Sequence, residues 1–305
     1  MKTLIILNPK SKAGNSGNLE SILKKKFAGS DTRLLKTAYP GQATEIARRA
    51  VGEHVDTIVV VGGDGTIHEV LNGILGSSVA LGIIPTGTAN DLASYYHLPA
   101  EVEKASDIIL CRRIHPADVI QVNHHYYITA GGMGLPSDVA SIANSIKSRG
   151  TAGRILGRFL SSKLYLIAAL WAILAKPRRR NFVTIRSRHL AFASDILSLT
   201  VNNQPFLGKN FLISPGAAND DGKLDVCLIK NPKQRFAVLP ILIKVLSGKH
   251  VHLPCVTAWR TDSLVVEAEH PLPFLGDGEL FQKSRKFKIQ IFPRALNLIV
   301  PESPA

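Results

Sequence analysis

The sequence predicts an α/β protein of two domains, in which a parallel sheet flanked by helices is followed by a β-rich domain. Three observations support this prediction. The chain has 305 residues, a length typical of two domains. Short aliphatic runs alternate with segments of helical periodicity over its first third. After about residue 123, strand-like runs follow one another with few helices between them.

The first domain is predicted to span residues 1–123, with residues 295–305 packing back on it. Its strands are predicted from β-branched and aliphatic runs at residues 3–7, 33–37, 57–61 and 80–84. Apolar residues recur at helical spacing within residues 46–51 and 67–75. Because strands that alternate with helices pair in parallel, this order predicts a mostly parallel sheet with helices on its faces.

The second domain is predicted to span residues 124–294. Its strand-like runs lie at residues 126–129, 182–186, 196–202, 211–214, 224–230, 264–268 and 287–292. Two segments of helical periodicity interrupt them, at residues 151–176 and 233–247. Strands that follow one another in this way predict a β-rich domain.

Composition and charge exclude several classes of protein. Lys and Arg number 37 against 23 Asp and Glu, a net charge of +14 that favours an anionic partner such as nucleotide phosphates, nucleic acid or an acidic membrane. The 45% hydrophobic and 20% charged content excludes a disordered or coiled-coil chain. Cys111, Cys227 and Cys255 have neither zinc-site nor disulfide-framework spacing, which favours a reducing compartment.

No segment is predicted to cross a membrane. The longest apolar run, at residues 164–175, is shorter than the roughly 20 residues that a spanning helix needs. The N-terminal apolar run ends at Asn8 and Pro9, too early for a secretory signal. The protein is therefore expected to be cytoplasmic.

The strongest local signal is the glycine-rich turn Gly-Gly-Asp-Gly-Thr at residues 62–66, which follows a predicted strand and precedes a predicted helix. Glycines let main-chain N–H groups approach an anion, and a helix N-terminus adds its dipole, so a phosphate is the natural occupant. Asp64 would repel a bare phosphate, which favours a ribose hydroxyl, a divalent cation or a water as its partner. A tight turn without a ligand is the alternative.

A second turn of small residues, Pro-Thr-Gly-Thr-Ala-Asn-Asp at residues 85–91, ends the next strand. Because the carboxyl ends of neighbouring parallel strands share one edge of a sheet, the two turns are expected to converge on one crevice. The loop at residues 8–14 carries Lys10 and Lys12 and is either a third part of this site or a solvated basic turn. Neither a P-loop nor a dinucleotide-binding fingerprint is present.

Two acidic turns lie in the second domain. Asn-Asp-Asp-Gly-Lys-Leu-Asp at residues 219–225 has the oxygen donors of a cation loop without the length of an EF-hand, which favours Mg²⁺ held partly by carbonyls and water. Leu-Gly-Asp-Gly-Glu at residues 275–279 places two carboxylates two residues apart, and one of them could take a proton from a substrate hydroxyl. Each is alternatively an ordinary hairpin turn.

Together these motifs resemble the diacylglycerol kinase catalytic domain family of bacterial lipid kinases, which includes the YegS-like proteins. The matching elements, in the family's order, are Asn8-Pro9 with Gly14, and residues 62–66, 85–91, 221–225 and 277–279. NAD kinases share the glycine-rich turn, and the second turn at residues 85–91 makes the resemblance specific. The sequence departs from the family at His68, where Asn is common, and at Ile120, where Gly is common.

The resemblance implies a Rossmann-like nucleotide-binding domain plus a β-sandwich-like domain, with ATP in the cleft between them and Mg²⁺ as a second cofactor. The residues it implies for ATP are Asn8, Pro9, Lys10, Ser11, Lys12, Thr37, Gly63, Asp64, Gly65, Thr66, Ile67, His68, Glu69, Thr88 and Asp91. The implied magnesium ligands are Asp221, the carbonyls of Ala218 and Lys223, and Asp118. The catalytic base is either Asp277 or Glu279.

The resemblance also implies that the protein transfers the γ-phosphate of ATP to a hydroxyl of a membrane lipid, with diacylglycerol the first choice. The alternatives are a kinase of a soluble acceptor such as NAD, and a non-catalytic protein that binds nucleotide or membrane. Residues 147–188, rich in Lys and Arg with interleaved apolar residues, are expected either to contact the anionic inner membrane face or to pack on their own domain. No nucleic-acid partner is expected, and the oligomeric state, a homodimer included, stays open.

Overall fold

The computed structural model describes residues 2–11, 17–147, 172, 180–188 and 190–302. The chain divides into two compact units. Unit 1 comprises Met1–Val119 and Pro293–Ala305, and unit 2 comprises Ile120–Phe292. The sequence places the corresponding divisions at residues 123 and 294.

A parallel sheet forms the centre of unit 1. Its strands are β1 (Lys2–Leu7), β2 (Asp31–Lys36), β3 (Thr57–Gly62), β4 (Ala80–Pro85) and the last residues of β15 (Glu279–Ile299). Their order is β2, β1, β3, β4, β15, and each neighbouring pair is parallel. All six residues of the central strand β3 are buried, which explains its unbroken aliphatic run. The predicted parallel sheet is confirmed.

Helices cover this sheet. Those described in unit 1 are α1 (Gly17–Lys26), α2 (Gln42–Gly52), α3 (Asp64–Ile74), α4 (Asp91–Tyr95) and α5 (Val102–Cys111). The side chains of Leu23 on α1 and Ile109 on α5 lie in one buried cluster with Val59 of β3. Helix α2 packs on α3, with Gly73 lying against Ala47. The apolar spacing at residues 46–51 and 67–75 thus marks buried helix faces.

Unit 2 is mainly antiparallel. Its strands are β6 (His125–Tyr127), β7 (Ala130–Gly134), β8 (Phe182–Ser187), β9 (Ala191–Asn202), β12 (Leu224–Lys230), β13 (Val256–Thr261) and β14 (Ser263–Gly276), with parts of β5 (Ile114–Val122) and β15. A separate hairpin joins β10 (Phe206–Leu207) to β11 (Phe211–Leu212). The predicted β-rich second domain is confirmed.

The core of unit 2 lies between the long strands β9 and β14, which share two neighbouring strands. Strands β9 and β14 each pair with β7 at one end and with β8 at the other. The enclosed cluster includes Tyr127, Leu199, Phe274 and Phe287, all buried. Rings of Phe274 and Phe287 lie 5.8 Å apart. Alternating apolar residues on these strands therefore face one another across the core.

Two α-helices are described in unit 2. Helix α7 (Val238–Leu246), which follows a 3₁₀ turn at Arg235–Ala237, corresponds to the helix predicted at residues 233–247. Helix α6 (Leu135–Lys147) was not expected from the sequence, because Pro136 and the glycines before it obscure the start of its apolar periodicity. The helix predicted at residues 151–176 lies outside the described residues apart from Ala172. Among the described residues, no helix is both long and apolar enough to span a bilayer.

Candidate functional site

Three turns of unit 1 contact one another at the carboxyl ends of β1, β3 and β4. The side-chain amide of Asn8 donates a hydrogen bond to the hydroxyl of Thr66 over 2.9 Å, and its main-chain N–H donates to the carbonyl of Val61. The hydroxyls of Ser11 and Thr86 lie 2.9 Å apart. The convergence expected from the strand order is therefore observed, and it includes the first loop as well as the two glycine-containing turns.

Gly63 and Gly87 lie in direct contact where two of these turns meet, and we call this close approach the glycine cradle. A Cβ atom on Gly87 would lie 2.5 Å from the Cα of Gly63 and 2.5 Å from Oδ1 of Asn90. Helix α3 starts at Asp64 with glycine at its N-cap, so the N-cap residue supplies no side-chain acceptor for the first N–H groups. Main-chain N–H groups at a helix N-terminus, approached without side-chain hindrance, fit an anionic phosphate such as those of ATP.

Asp64 links the two glycine-containing turns. One carboxylate oxygen accepts the main-chain N–H of Asn90 and the other that of Asp91, both over 2.8 Å. These N–H groups lie at the start of α4, where negative charge is favourable. The sequence suggested a hydroxyl, a cation or a water for Asp64, whereas its observed partners are main-chain groups. Its charge is thus partly offset, which makes a phosphate nearby less unfavourable.

Replacing Gly87 by Ala is expected to lower the free energy of unfolding by about 1–3 kcal/mol, because the new Cβ overlaps main-chain and Asn90 atoms. The affinity for ATP should fall by about tenfold or more, since the filled cradle displaces the neighbouring turn. Urea unfolding and calorimetric titration with ATP measure the two effects. Gly29→Ala is the matched control, because nothing lies within 4 Å of its Cβ position. Unchanged ATP affinity in Gly87→Ala would contradict the cradle.

Two other residues expected at ATP have structural contacts within unit 1. The carboxylate of Glu69 accepts the N–H of Ala43 over 3.1 Å, and so caps the start of α2. The side chain of Ile67 is buried in the core, and its N–H donates to the carbonyl of Gly63. Both residues therefore contribute to the shape of the turns.

The remaining positions expected at ATP in unit 1 are accessible. Exposed or half-buried side chains or main chain are found at Pro9, Lys10, Ser11, Thr37, Gly65, His68, Thr88 and Asp91. Lys12 lies outside the described residues. A ligand at the three turns could therefore reach hydroxyls, a lysine and main-chain groups from one edge of the sheet.

Asp118, expected among the metal ligands, is fully buried on β5 in unit 1. One of its carboxylate oxygens accepts the main-chain N–H of Arg294 over 2.7 Å. Arg294 has a left-handed backbone conformation, with φ of 53°. The contact therefore holds an irregular point of β15 against β5.

The acidic loop of unit 2 is bound by an arginine. One oxygen of Asp221 accepts the N–H of Lys223 over 2.9 Å, and the other lies 2.7 Å from Nη2 of Arg260. The same guanidinium bonds to Asp225 over 3.1 Å and to the carbonyl of Gly216 over 2.9 Å. Burial raises the pKa of Asp225, and the hydrogen bond from Arg260 opposes that rise. Arg260 is thus a cation already present beside the loop.

The loop supplies few acidic ligands for a metal ion. Among the described residues, no group of three or more His, Cys, Asp or Glu side chains could hold one. The carboxylate of Asp221 and the main-chain carbonyls of Ala218 and Lys223 are nevertheless hard oxygen donors, which Mg²⁺ prefers together with water. These donors fit a magnesium ion that keeps several waters, with Arg260 competing for Asp221.

Asp277 forms the tip of a two-residue hairpin in unit 2. It and Gly278 have φ of 50° and 83°, the positive pair that a type I′ turn requires. The Asp277 side chain turns inward and is 9% exposed. Its carboxylate accepts the N–H groups of Ile128 and Thr129, over 3.1 and 2.8 Å, and the hydroxyl of Thr129 over 2.6 Å. These donors hold the tip of the hairpin against the loop between β6 and β7.

The second carboxylate of the hairpin has different surroundings. Glu279 is exposed, and its carboxylate has no hydrogen-bond or ion-pair partner in the described parts of the chain. Burial, and then the charge of Asp277, raise the pKa of Tyr127 well above its usual range. Asp277 therefore belongs to a buried polar network, whereas Glu279 is available to a reacting group.

Comparison with known families decides what these two units are. The profile of the diacylglycerol kinase catalytic domain matches residues 2–122, and that of the YegS C-terminal NAD kinase beta sandwich-like domain matches residues 137–300. The chain belongs to the diacylglycerol-kinase-like family of bacterial lipid kinases. The fold predicted from the sequence, a Rossmann-like domain followed by a β-sandwich-like domain, is confirmed by these matches.

Curated relatives of this lipid kinase match most of its length. It is 28% identical to a diacylglycerol kinase of Staphylococcus carnosus (strain TM300) over 85% of this chain and 82% of the relative. It is also 28% identical to a protein of Enterobacter sp. (strain 638) named "Probable lipid kinase YegS-like", over 98% of this chain and 96% of the relative. The similarity thus covers both units.

Two crystal structures of proteins from Bacillus anthracis strain Sterne share the fold. One superposes with a TM-score of 0.81 at 24% identity and covers 100% of this kinase and 96% of its own chain. The other, described as a diacylglycerol kinase, superposes with a TM-score of 0.71 at 21% identity over 100% and 98% of the two chains. At these identities the likeness supports the fold alone.

Local patterns in the kinase sequence do not identify Arg260 as the partner of Asp221 or Thr129 as the partner of Asp277. Arg260 lies 39 positions from Asp221, and only the antiparallel register that sets Asp225 opposite Arg260 brings them together. Thr129 lies 148 positions from Asp277. The one available signal was the isolated Arg on a strand that otherwise carries uncharged residues.

Replacing Arg260 by Gln is expected to lower the stability of the kinase by about 1 kcal/mol, because the exposed guanidinium bridges two carboxylates and a carbonyl. It should also increase the stabilisation by Mg²⁺, since the loop loses its internal cation. Thermal unfolding in MgCl₂ and in EDTA measures both effects. Arg186→Gln, which removes an exposed ion pair with Glu267, is the control. An equal response to Mg²⁺ in the two variants would count against Arg260 as the competing cation.

Proposed function

We propose that this lipid kinase transfers the γ-phosphate of ATP to the hydroxyl of diacylglycerol, giving phosphatidic acid and ADP. The observation that carries the proposal is the glycine cradle of Gly63 and Gly87 at the N-terminus of α3. The close contact of the two turns leaves no room for a side chain there, and the main-chain N–H groups at the start of α3 fit a phosphate chain. The name of the Staphylococcus carnosus relative supports diacylglycerol as the acceptor.

ATP is the proposed donor because the three turns of unit 1 offer what a nucleotide phosphate needs. Hydroxyls of Ser11 and Thr86, the exposed Lys10 and the start of α3 lie at one edge of the sheet. The net charge of +14 favours the approach of a polyanion. Asp64 keeps the turns together through α4, and in this role it acts on the nucleotide site without contacting the phosphates.

Glu279 is the proposed catalytic base. Its exposed carboxylate accepts the proton of the acceptor hydroxyl while the hydroxyl oxygen forms a bond to the γ-phosphorus and the bond from that phosphorus to ADP breaks. Asp277 is a positioning residue, because both of its oxygens accept hydrogen bonds from the loop at Ile128 and Thr129. The buried Asp277 fixes the hairpin, and the hairpin fixes the start of the strand that carries Glu279.

Mg²⁺ is the proposed second cofactor. The carboxylate of Asp221 and the carbonyls of Ala218 and Lys223 are the groups that would hold it. The resemblance implies Asp118 as a further ligand, and the carboxylate of this buried residue accepts the N–H of Arg294. When bound, the ion supplies positive charge that offsets the carboxylates of the loop and the charge on the transferred phosphate. Lys223 in addition holds Asp221 in place through its main-chain N–H.

A membrane lipid as acceptor requires that the kinase work at a bilayer. We place it on the cytoplasmic face of the inner membrane, whose anionic lipids suit a protein of net charge +14. The segment predicted to make this contact, residues 147–188, lies mostly outside the described residues. Residues 182–187 form strand β8 of unit 2, which pairs with β9 and β14 and carries the exposed Arg186.

The proposal is tested by transfer of ³²P from the γ-position of ATP, with Mg²⁺, to lipids in mixed micelles. The panel contains diacylglycerol, sphingosine, ceramide, phosphatidylglycerol and undecaprenol, with NAD as the soluble acceptor. Label in diacylglycerol that is abolished by EDTA is the expected result. Label in another lipid would support a lipid kinase and would show that its acceptor is not diacylglycerol.

The alternative with a specific observation behind it is a kinase of NAD, because the matched C-terminal domain is described as NAD kinase-like. Label in NAD alone would overturn lipid phosphorylation. Absence of label in every acceptor, with ATP still bound, would overturn the transferase and leave a nucleotide-binding protein. Each outcome therefore selects one of three functions.

A further inference from the structure

Helix α7 in unit 2 is apolar on two opposite sides. Its inward side packs Ile241 and Val245 into a small buried cluster with Cys227 and Ile229. Val238, on the same side of the helix, is also buried. These three residues follow the spacing of one helix face. A surface helix ordinarily has one apolar face toward the core and a polar face toward solvent, and the inward side of α7 already provides the apolar face.

The outward side of α7 and of the 3₁₀ turn before it carries large apolar residues instead. Phe236 is 69% exposed, Ile243 is 67% exposed and Leu246 is 44% exposed. Ile243 follows Phe236 by seven positions and Leu246 follows Ile243 by three, so the three side chains lie on one side. A helix that is apolar all round is normally covered on both sides, and an exposed apolar face of this kind marks an interaction surface.

The stretch of sequence that contains this face has basic residues and no acidic ones, and one of the basic residues, Arg260, is paired with the carboxylates of Asp221 and Asp225. Residues 230–261 contain no Asp or Glu. The Lys and Arg residues of this stretch are Lys230, Lys233, Arg235, Lys244, Lys249 and Arg260. Lys244 lies on α7 itself, and Lys249 belongs to the 3₁₀ turn that follows it. Apolar side chains flanked by lysines are typical of helices that lie in the interface of an anionic bilayer.

We propose that the outward face of α7, formed by Phe236, Ile243 and Leu246 with Lys244 and Lys249, docks the kinase on an anionic membrane surface. The proposal rests on the proposed function, since an acceptor in the bilayer requires such a surface. Phe236 and Ile243 enter the boundary between headgroups and acyl chains, and the lysine ammonium groups contact lipid phosphates. The residues of this surface do not belong to residues 147–188, the segment that the sequence suggested for membrane contact.

Charge favours a bilayer over a second copy of the chain as the occupant. Two copies that met through this face would bring their basic residues together, without an acidic residue from the same stretch to offset them. An anionic bilayer instead supplies the opposite charge around an apolar interior. Each lysine near such a surface strengthens binding by about fivefold.

Sedimentation with vesicles tests the proposal. Wild-type protein and the double variant Phe236→Ser/Ile243→Ser are mixed with vesicles of phosphatidylglycerol and phosphatidylcholine, and with vesicles of phosphatidylcholine alone. Wild type should prefer the anionic vesicles, and the double variant should bind them about tenfold more weakly or worse, because two large apolar side chains no longer enter the bilayer. Leu110→Ser, at a 40% exposed apolar position on α5 of unit 1, is the matched control and should bind like wild type.

Turnover separates docking from catalysis. The double variant should phosphorylate a short-chain, water-soluble diacylglycerol at the wild-type rate and a diacylglycerol in vesicles more slowly. Lys244→Gln should weaken vesicle binding by about fivefold and reduce its dependence on salt. Thermal unfolding of the variants checks that both remain folded, as expected for exposed side chains.

Three outcomes would overturn the docking surface. The first is equal vesicle affinity of the double variant and the wild type, and the second is equal affinity of the wild type for anionic and neutral vesicles. The third is a wild-type dimer that the double variant dissociates while its vesicle affinity stays unchanged, which would assign the face to a second copy. Vesicle binding as expected, without phosphorylation of any lipid, would instead overturn the proposed function and leave the docking surface in place.

Discussion

Replacing Glu279 by Gln is expected to lower kcat for lipid phosphorylation by about 10²–10⁴-fold, because the amide cannot accept the proton of the acceptor hydroxyl. The free energy of unfolding should not change, since Glu279 is exposed and its carboxylate has no hydrogen-bond or ion-pair partner in the described parts of the chain. The KM for ATP should also stay near the wild-type value. Steady-state transfer kinetics together with urea unfolding measure all three quantities.

Glu269→Gln is the matched control for this result. Glu269 is an exposed glutamate on β14, the strand before the hairpin, and its replacement removes the same charge from the same unit. Its kcat should equal that of the wild type. A wild-type kcat in Glu279→Gln, combined with a folded but inactive Asp277→Asn protein, would transfer the role of base to Asp277.

Replacing Asp277 by Ala is expected to lower the free energy of unfolding by about 3–5 kcal/mol. The substitution leaves the buried N–H groups of Ile128 and Thr129 and the Thr129 hydroxyl without their acceptor. Ala also fits poorly at a position with φ of 50°, which Asp and Asn tolerate better. The midpoint of urea unfolding should fall with little change in the slope of the transition.

Asp277→Asn separates the loss of the hydrogen-bond acceptor from the cost of the left-handed backbone conformation. Asn keeps the left-handed backbone and one carbonyl acceptor, so about 1–3 kcal/mol should be lost. Thr129→Val combined with Asp277→Asn should cost less than the sum of the two single replacements, because both act on one hydrogen bond. A loss below about 1 kcal/mol in Asp277→Ala would show that the hairpin is held by its strand pairing instead.

The parallel sheet of unit 1 could be predicted because its signals are local. Strand β3 is an unbroken aliphatic run, and the helix after it shows apolar residues at regular spacing. The glycine-rich turn between them marks the end of the strand and the start of the helix. Strand order then places the turns at one edge of the sheet. Helix α6 escaped this reasoning, because the glycines and Pro136 at its start outweigh the short apolar pattern of Val139 and Ile142.

The acidic residues of the candidate site show where local reasoning ends. The motif containing Asp64 predicts a phosphate turn, yet the partners of its carboxylate are main-chain groups 26 and 27 positions away. The pair Asp277 and Glu279 could be found from the hairpin motif but not told apart. In the structure, the Asp277 side chain at the type I′ turn faces the loop at Thr129, and the Glu279 side chain is exposed.

By itself, the sequence determined the alternation of strands and helices in the first domain, the β-rich character of the second, the two glycine-containing turns and the two acidic turns, because periodicity and turn chemistry depend on neighbours a few positions apart. Only the tertiary structure decided which partner each carboxylate meets: α4 for Asp64, Arg260 for Asp221, and the loop at Thr129 for Asp277. These partners lie 27, 39 and 148 positions away. Strand pairing and packing bring such residues together, and no local pattern specifies them.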